Sequence, residues 1–196
     1  MLAGVEYELI EGATWAPGAG YDALKRVNPL AQVPTLVIDG TVLTESAAIL
    51  IELANRYPQS GLMSGDPVRR ANSLRGLVFI AANCYAAIGV IDYPERWCTP
   101  YDESTGEHIR AGTRARLHAL WETFADMMEP APWLSGEGMG ALDVLAAVVS
   151  RWSGARAHLA QTRPGFFALL ERVDRDTRLQ PIFARHWPDQ PAAQAS

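Results

Sequence analysis

The spacing of apolar and polar positions changes character about a third of the way along this 196-residue chain. The early segments follow period two. Val5 to Ile10 alternates apolar and acidic residues, which predicts a half-buried strand. Gly12 to Gly20 is turn-rich and contains Trp15, and Tyr21 to Val27 suits either a short helix or an irregular loop. Thr35 to Ile38 is a β-branched, apolar run of the kind found in buried strands. Thr41 to Thr44 returns, and Asp39-Gly40 between the two is a hairpin signal, because a type I′ turn needs positive φ at both central residues. Glu45-Ser46 then opens a helix whose Ile49, Leu50, Leu53, Ala54 and Tyr57 share one face.

Pro58 to Pro67, with Ser60-Gly61 and Ser64-Gly65-Asp66, reads as a linker. Beyond it the period is helical throughout. Val68 to Ile91 predicts a long, largely apolar helix ended by Asp92-Tyr93-Pro94. Its Leu74, Leu77, Val78, Ile80, Ala81, Ala82 and Ile88 occupy more than one face, so it requires burial on several sides. Glu103 to Met128 follows, with Leu117, Leu120, Trp121, Phe124 and Met127/Met128 on one stripe. Leu142 to Trp152, Phe166 to Val173 and Ile182 to Trp187 complete the helices, and the tail from Pro188 is expected to fray. The expected organisation is a small α/β unit over 1–58, a linker over 59–67 and an all-helical unit over 68–196.

Composition narrows the function classes. Hydrophobic residues make up 48% and charged residues 20%, ordinary values for a globular protein. A net charge of -5 without a Lys/Arg cluster argues against a nucleic-acid partner. Cys84 and Cys98 form no CxxC pair, and His108, His118, His158 and His186 fit no metal-ligand spacing, so no metal is expected. Met1 leads into Gly4-Val5-Glu6-Tyr7-Glu8 without a signal-peptide pattern, and no apolar run reads as long enough to cross a bilayer. A cytoplasmic protein handling a small molecule is the expectation.

The chemistry concentrates between Asn28 and Tyr57. Pro34 precedes a strand, where a cis proline exposes the backbone of the residue before it. Glu45-Ser46 at a helix start would suit a zwitterion: Glu45 pairs an ammonium, and Ser46 with the helix amides accepts a carboxylate. The bland alternative is that both residues merely cap the helix.

This run, Asn28-Pro29-Leu30-Ala31-Gln32-Val33-Pro34-Thr35-Leu36-Val37-Ile38-Asp39-Gly40 followed by Glu45-Ser46, resembles the glutathione-binding half of cytosolic glutathione transferases. The resemblance implies a thioredoxin-like α/β domain followed by an all-α helical bundle. It also implies a homodimer and a role in detoxification. It assigns glutathione as cosubstrate, with the Val33 backbone before Pro34 meeting the cysteinyl amide and Glu45 and Ser46 gripping the γ-glutamyl end. The other partner is a small hydrophobic electrophile. Asp143 matches a buried acid that this family uses at a helix start, while Gly140 replaces the usual hydroxyl residue there. Glycine at that cap is expected to cost only a few tenths of a kcal/mol relative to serine.

The resemblance also implies a strand and helix preceding Val5, with Gly4 as that helix's C-cap, and a Ser, Tyr or Cys there that activates the thiol. The catalytic residue is therefore unassigned. A start assigned too late would account for this, and so would a non-catalytic binding or interaction protein that keeps the fold. Tyr85, Tyr93, Tyr101, Cys84 and Cys98 lie near the electrophile side of the resembled site, but packing explains each of them as well. Trp121, Trp133 and Trp152 read as core or interdomain filler.

Overall fold

Asp39 and Gly40 adopt φ of 49° and 74°, so the two-residue turn is made as its sequence requires. It joins β1 (Thr35–Ile38) to β2 (Thr41–Thr44) as an antiparallel pair in the register Thr35↔Thr44 to Ile38↔Thr41. The computed structural model describes residues 2–12, 16–130 and 132–188. Trp15 and the tail from residue 189 lie outside the described residues.

Tyr21 to Val27 is helical, as part of α1 (Ala19–Val27). α2 (Ser46–Arg56) follows β2 directly, and Arg56 ties its end to Glu52 at 2.6 Å and to Asp39 at the hairpin tip. Gly4 takes φ 66°, the left-handed conformation of a helix C-cap, after a turn at Leu2 and Ala3.

Val5 to Ile10 forms no strand, a correction to its alternating pattern. Tyr7, Leu9 and Ile10 are 57–74% exposed. Alternation selects a face but supplies no neighbour, and among the described residues β1 is hydrogen-bonded only to β2.

The linker stretch is packed. After a 3-10 turn at Pro58–Ser60, Leu62 and Met63 are buried in the core, and the Leu62 carbonyl accepts from the Ala141 amide at 2.8 Å. The long apolar helix is three pieces: α3 (Pro67–Phe79), a π-helical segment (Ile80–Tyr85) and α4 (Ala86–Asp92). Asn83 Nδ2 donates to the Phe79 carbonyl at 3.1 Å, occupying an acceptor inside the widened turn. This stretch of 26 residues, Pro67–Asp92, is long and apolar enough to cross a membrane by length and composition, which corrects the sequence-based expectation. Packing explains its apolarity, since Leu77, Ile80, Cys84, Ile88 and Ile91 are buried in the core.

The remaining helices are α5 (Glu103–Met127), α6 (Ala141–Val149), α7 (Ala155–Thr162), α8 (Pro164–Asp174) and α9 (Gln180–His186). The pattern missed α7. It also carried α6 too far, since Trp152 lies in the turn after it. α3 packs on α6, α4 on α5, and α2 reaches α6, so one core is shared by the α/β part and the helices. Its centre holds Trp121, Phe124, Leu117 and Leu142, all fully buried.

Asp143 starts α6 from within this core. Fully buried, it accepts from the amides of Leu134 (2.8 Å), Ser135 (3.1 Å) and Gly140 (3.0 Å). Gly140 is required by space, contrary to the small cost expected above. A Cβ there would lie 2.6 Å from the Leu62 carbonyl and 2.7 Å from the Ser135 hydroxyl. Gly140→Ser should therefore destabilise the protein by about 1–3 kcal/mol, the usual range for overpacking, despite restoring a preferred cap. Urea denaturation measures it, and a neutral or stabilised variant would contradict the contact.

Candidate functional site

Asn28 builds the approach to the site. It is buried, and its Nδ2 donates to the Gln32 carbonyl (2.9 Å) and to Thr35 Oγ1 (3.1 Å), while its Oδ1 accepts from the Leu30 amide (3.1 Å). Thr35 Oγ1 donates to the same Gln32 carbonyl at 2.8 Å. This clasp holds residues 28–35 in a fixed loop, with Ala31 at φ 50° and the Val33–Pro34 bond cis. Neither the amide nor the carbonyl of Val33 has a partner among the described residues.

Glu45 sits at φ 68°, ψ 115° immediately before α2 and makes no side-chain cap. A charged residue held in a left-handed conformation is strained and points to function rather than to stability. Its carboxylate has no ion pair among the described residues. Ser46 follows as the first residue of α2, whose first turn contains no acid.

Val33, Pro34, Glu45 and Ser46 all line one cleft of about 1060 Å³. Its opposite wall comes from the π segment, α4, α5, α6 and the turn after α4. Tyr85 stands in this wall, packed edge-on against Trp152 with centroids 5.9 Å apart. Burial, with the charges of Glu45 and then Asp92 adding to it, pushes the Tyr85 phenol up, so it stays a hydrogen-bond donor at neutral pH. Burial likewise raises the Asp92 carboxyl.

Of the other sequence candidates, Tyr93 lines the cleft, whereas Tyr101, Cys84 and Cys98 do not. Trp121 is core, and Trp133 and Trp152 pack partly buried against it, Trp133 also stacking under Arg172 at 3.9 Å and Trp152 also lining the cleft. Cys84 is fully buried and its thiol is pushed up to about 12 by that burial, so it remains protonated. A thiol reagent at pH 8 should modify at most one cysteine per native chain, Cys98, and both in denaturant. Rapid native labelling of Cys84, located by peptide mapping, would contradict its burial. The sequence reading placed Asn28 at the head of the motif without giving it a role and passed over Arg96, Trp97, Thr113 and Arg116, and all five line the cleft. Only the i, i+3 spacing of Thr113 and Arg116 beside the α5 stripe offered a signal.

Residues 1–56 match the family described as glutathione S-transferase, N-terminal domain. The GST-like protein YncG of Escherichia coli K12 is 26% identical over 190 residues, covering 94% of this chain and 89% of YncG. In its first 56 residues and across most of its length the chain is similar to glutathione S-transferases. Two solved structures share the fold of this chain. A ternary complex of BphK, a bacterial glutathione transferase, aligns with TM-score 0.75 at 23% identity over 94% of this chain and 89% of that one. A sphingomonad glutathione S-transferase complexed with glutathione aligns with TM-score 0.74 at 20% identity over the same shares. The fold class is accordingly a thioredoxin-like N-terminal part followed by a helical C-terminal part.

Proposed function

We propose that this protein binds glutathione in the cleft and uses its thiol on a small electrophile. The carrying observation is that Val33, Glu45 and Ser46 line one cleft, with the Val33 backbone and the Glu45 and Ser46 side chains unengaged among the described residues. Glu45 would pair the γ-glutamyl ammonium, and Ser46 with the amides of the first α2 turn would accept its carboxylate. The free Val33 backbone would hydrogen-bond the cysteinyl unit. The glutathione sulfur would then face the wall that carries Tyr85, Ile88, Leu145 and Trp152. Attack of the thiolate on an electrophilic carbon forms a C–S bond, and the leaving group departs with its electron pair. The two unpaired cysteines fit a reducing cytoplasm, the compartment we assign.

Calorimetric titration with glutathione, beside a conjugation assay with 1-chloro-2,4-dinitrobenzene, tests both halves. Saturable binding with conjugation above the uncatalysed rate is the expected result. No binding would overturn the proposal, and binding without turnover would leave a glutathione-binding protein.

A two-fold homodimer belongs to the same reading. Val68, Arg75, Val78 and Ala82 form an exposed stripe along α3 and the π segment, with Val68 and Val78 at 69% and 56% exposure. Sedimentation should give a dimer at micromolar concentration, and Val78→Asp should dissociate it while leaving thermal stability nearly unchanged. A monomeric parent protein would count against this interface.

A further inference from the structure

The helical wall of the cleft carries two cations in a chain whose net charge is -5. Arg116, on α5 one turn from Thr113, lines the cleft, is exposed, and forms no ion pair or hydrogen bond among the described residues. Four other arginines of the helical part have partners within 2.8 Å: Arg110 with Glu103, Arg156 with Asp174, Arg163 with Asp126 and Arg178 with Asp176. Arg114, also without an ion pair or hydrogen bond among the described residues, does not line the cleft. Arg96, in the turn after α4, lies with its Cζ 4.0 Å from the centroid of the Tyr93 ring. Stacking of this kind orients a guanidinium while leaving its edge free to bond. The nearest acid to Arg96 is the adjacent Glu95, whose Oε1 stands 3.9 Å from Nε, too far for a hydrogen bond. The acids lining the cleft are Glu45 and Asp92. Glu45 is the partner assigned to the ammonium of glutathione, and burial raises the Asp92 carboxyl. Flat aromatic surface accompanies Arg96 at Tyr93 and Trp97, and Trp152 lines the same cleft.

We infer that Arg116 and Arg96 form an anion subsite that selects a flat, apolar second substrate bearing a carboxylate. The inference rests on the reading of this cleft as a glutathione-transferase site, and it deepens that reading by naming the class of electrophile. The guanidinium groups would hold the carboxylate through charge-assisted hydrogen bonds, and Tyr93 and Trp97 would cover the ring. The subsite acts by binding and takes no part in proton transfer.

The test compares 4-nitrobenzoate with its neutral isostere 4-nitrobenzamide, neither of which reacts with a thiol under these conditions. Equilibrium binding to the full chain is measured with and without glutathione. The carboxylate should bind about tenfold tighter than the amide, the discrimination expected from a charge-assisted pair, and the preference should shrink in high salt. Arg116→Gln should reduce the ratio, and Arg96→Gln with Arg116→Gln should bring it close to one. A ratio near one in the parent protein overturns the inference, as does a ratio that survives in the folded double variant. Weakened glutathione binding in either variant also overturns it, because the arginines would then serve glutathione's own carboxylates. If glutathione itself fails to bind, the proposed function falls, while the ratio without glutathione still decides the subsite.

Discussion

Asp143→Ala should cost this protein about 3–5 kcal/mol of stability, because each buried donor left without an acceptor loses about 1–3 kcal/mol. Three amides depend on this one carboxylate, at 2.8–3.1 Å, and the residue has no exposed surface. Water entering the vacated space would satisfy part of the deficit, which keeps the loss below the sum of three full penalties. For a domain of ordinary stability, about 5–15 kcal/mol, such a loss leaves little margin. The neighbouring loop suffers as well, since the Leu134 and Ser135 amides both donate to this side chain at the start of α6. Asp143→Asn should recover little, because the amide presents one oxygen and turns a donor toward donors. Urea denaturation with an unchanged m-value measures both variants. A loss below about 1 kcal/mol would show that the three bonds are not worth what their burial implies.

Glu45→Ala should weaken glutathione binding about tenfold to 150-fold, corresponding to the 1.5–3 kcal/mol of a hydrogen bond to a charged group. The carboxylate makes no ion pair in the free protein among the described residues, so its removal breaks no structural contact there. The variant should keep the parent's melting temperature within a few degrees. A glutathione analogue lacking the α-amino group separates the charge pair from any effect on the loop. That analogue should bind the parent and Glu45→Ala with similar affinity, closing the cycle on a single interaction. Equal loss for both ligands would move the effect from the ammonium to the backbone at φ 68°.

The parts of this protein that its sequence determined alone are those set by contacts within a few residues. Asp39-Gly40 demands a turn whose positive φ angles only a few residue types tolerate, and the flanking β-branched runs have one way to pair across it. Helices α2, α5 and α8 announce themselves through a face repeated over several turns. Residues 28–46 were legible as a candidate site for the same reason, since Val33, Glu45 and Ser46 are ordered by the loop and hairpin between them.

Tertiary structure decided everything that depends on what stands opposite. Val5 to Ile10 has a strand's alternation, but pairing needs a neighbour, and β1 hydrogen-bonds only β2 among the described residues. Pro58 to Pro67 reads as a linker by composition, yet Leu62 is buried because its carbonyl anchors the start of α6. The same carbonyl makes Gly140 a steric necessity, a constraint that no local cap preference encodes. Arg96 and Arg116 look like ordinary surface charges in sequence. They share a cleft only because α4, with the turn that follows it, packs on α5. Local sequence specifies conformation through short-range sterics and hydrogen bonds, whereas the far wall of a site is set by burial of apolar faces that meet from distant parts of the chain.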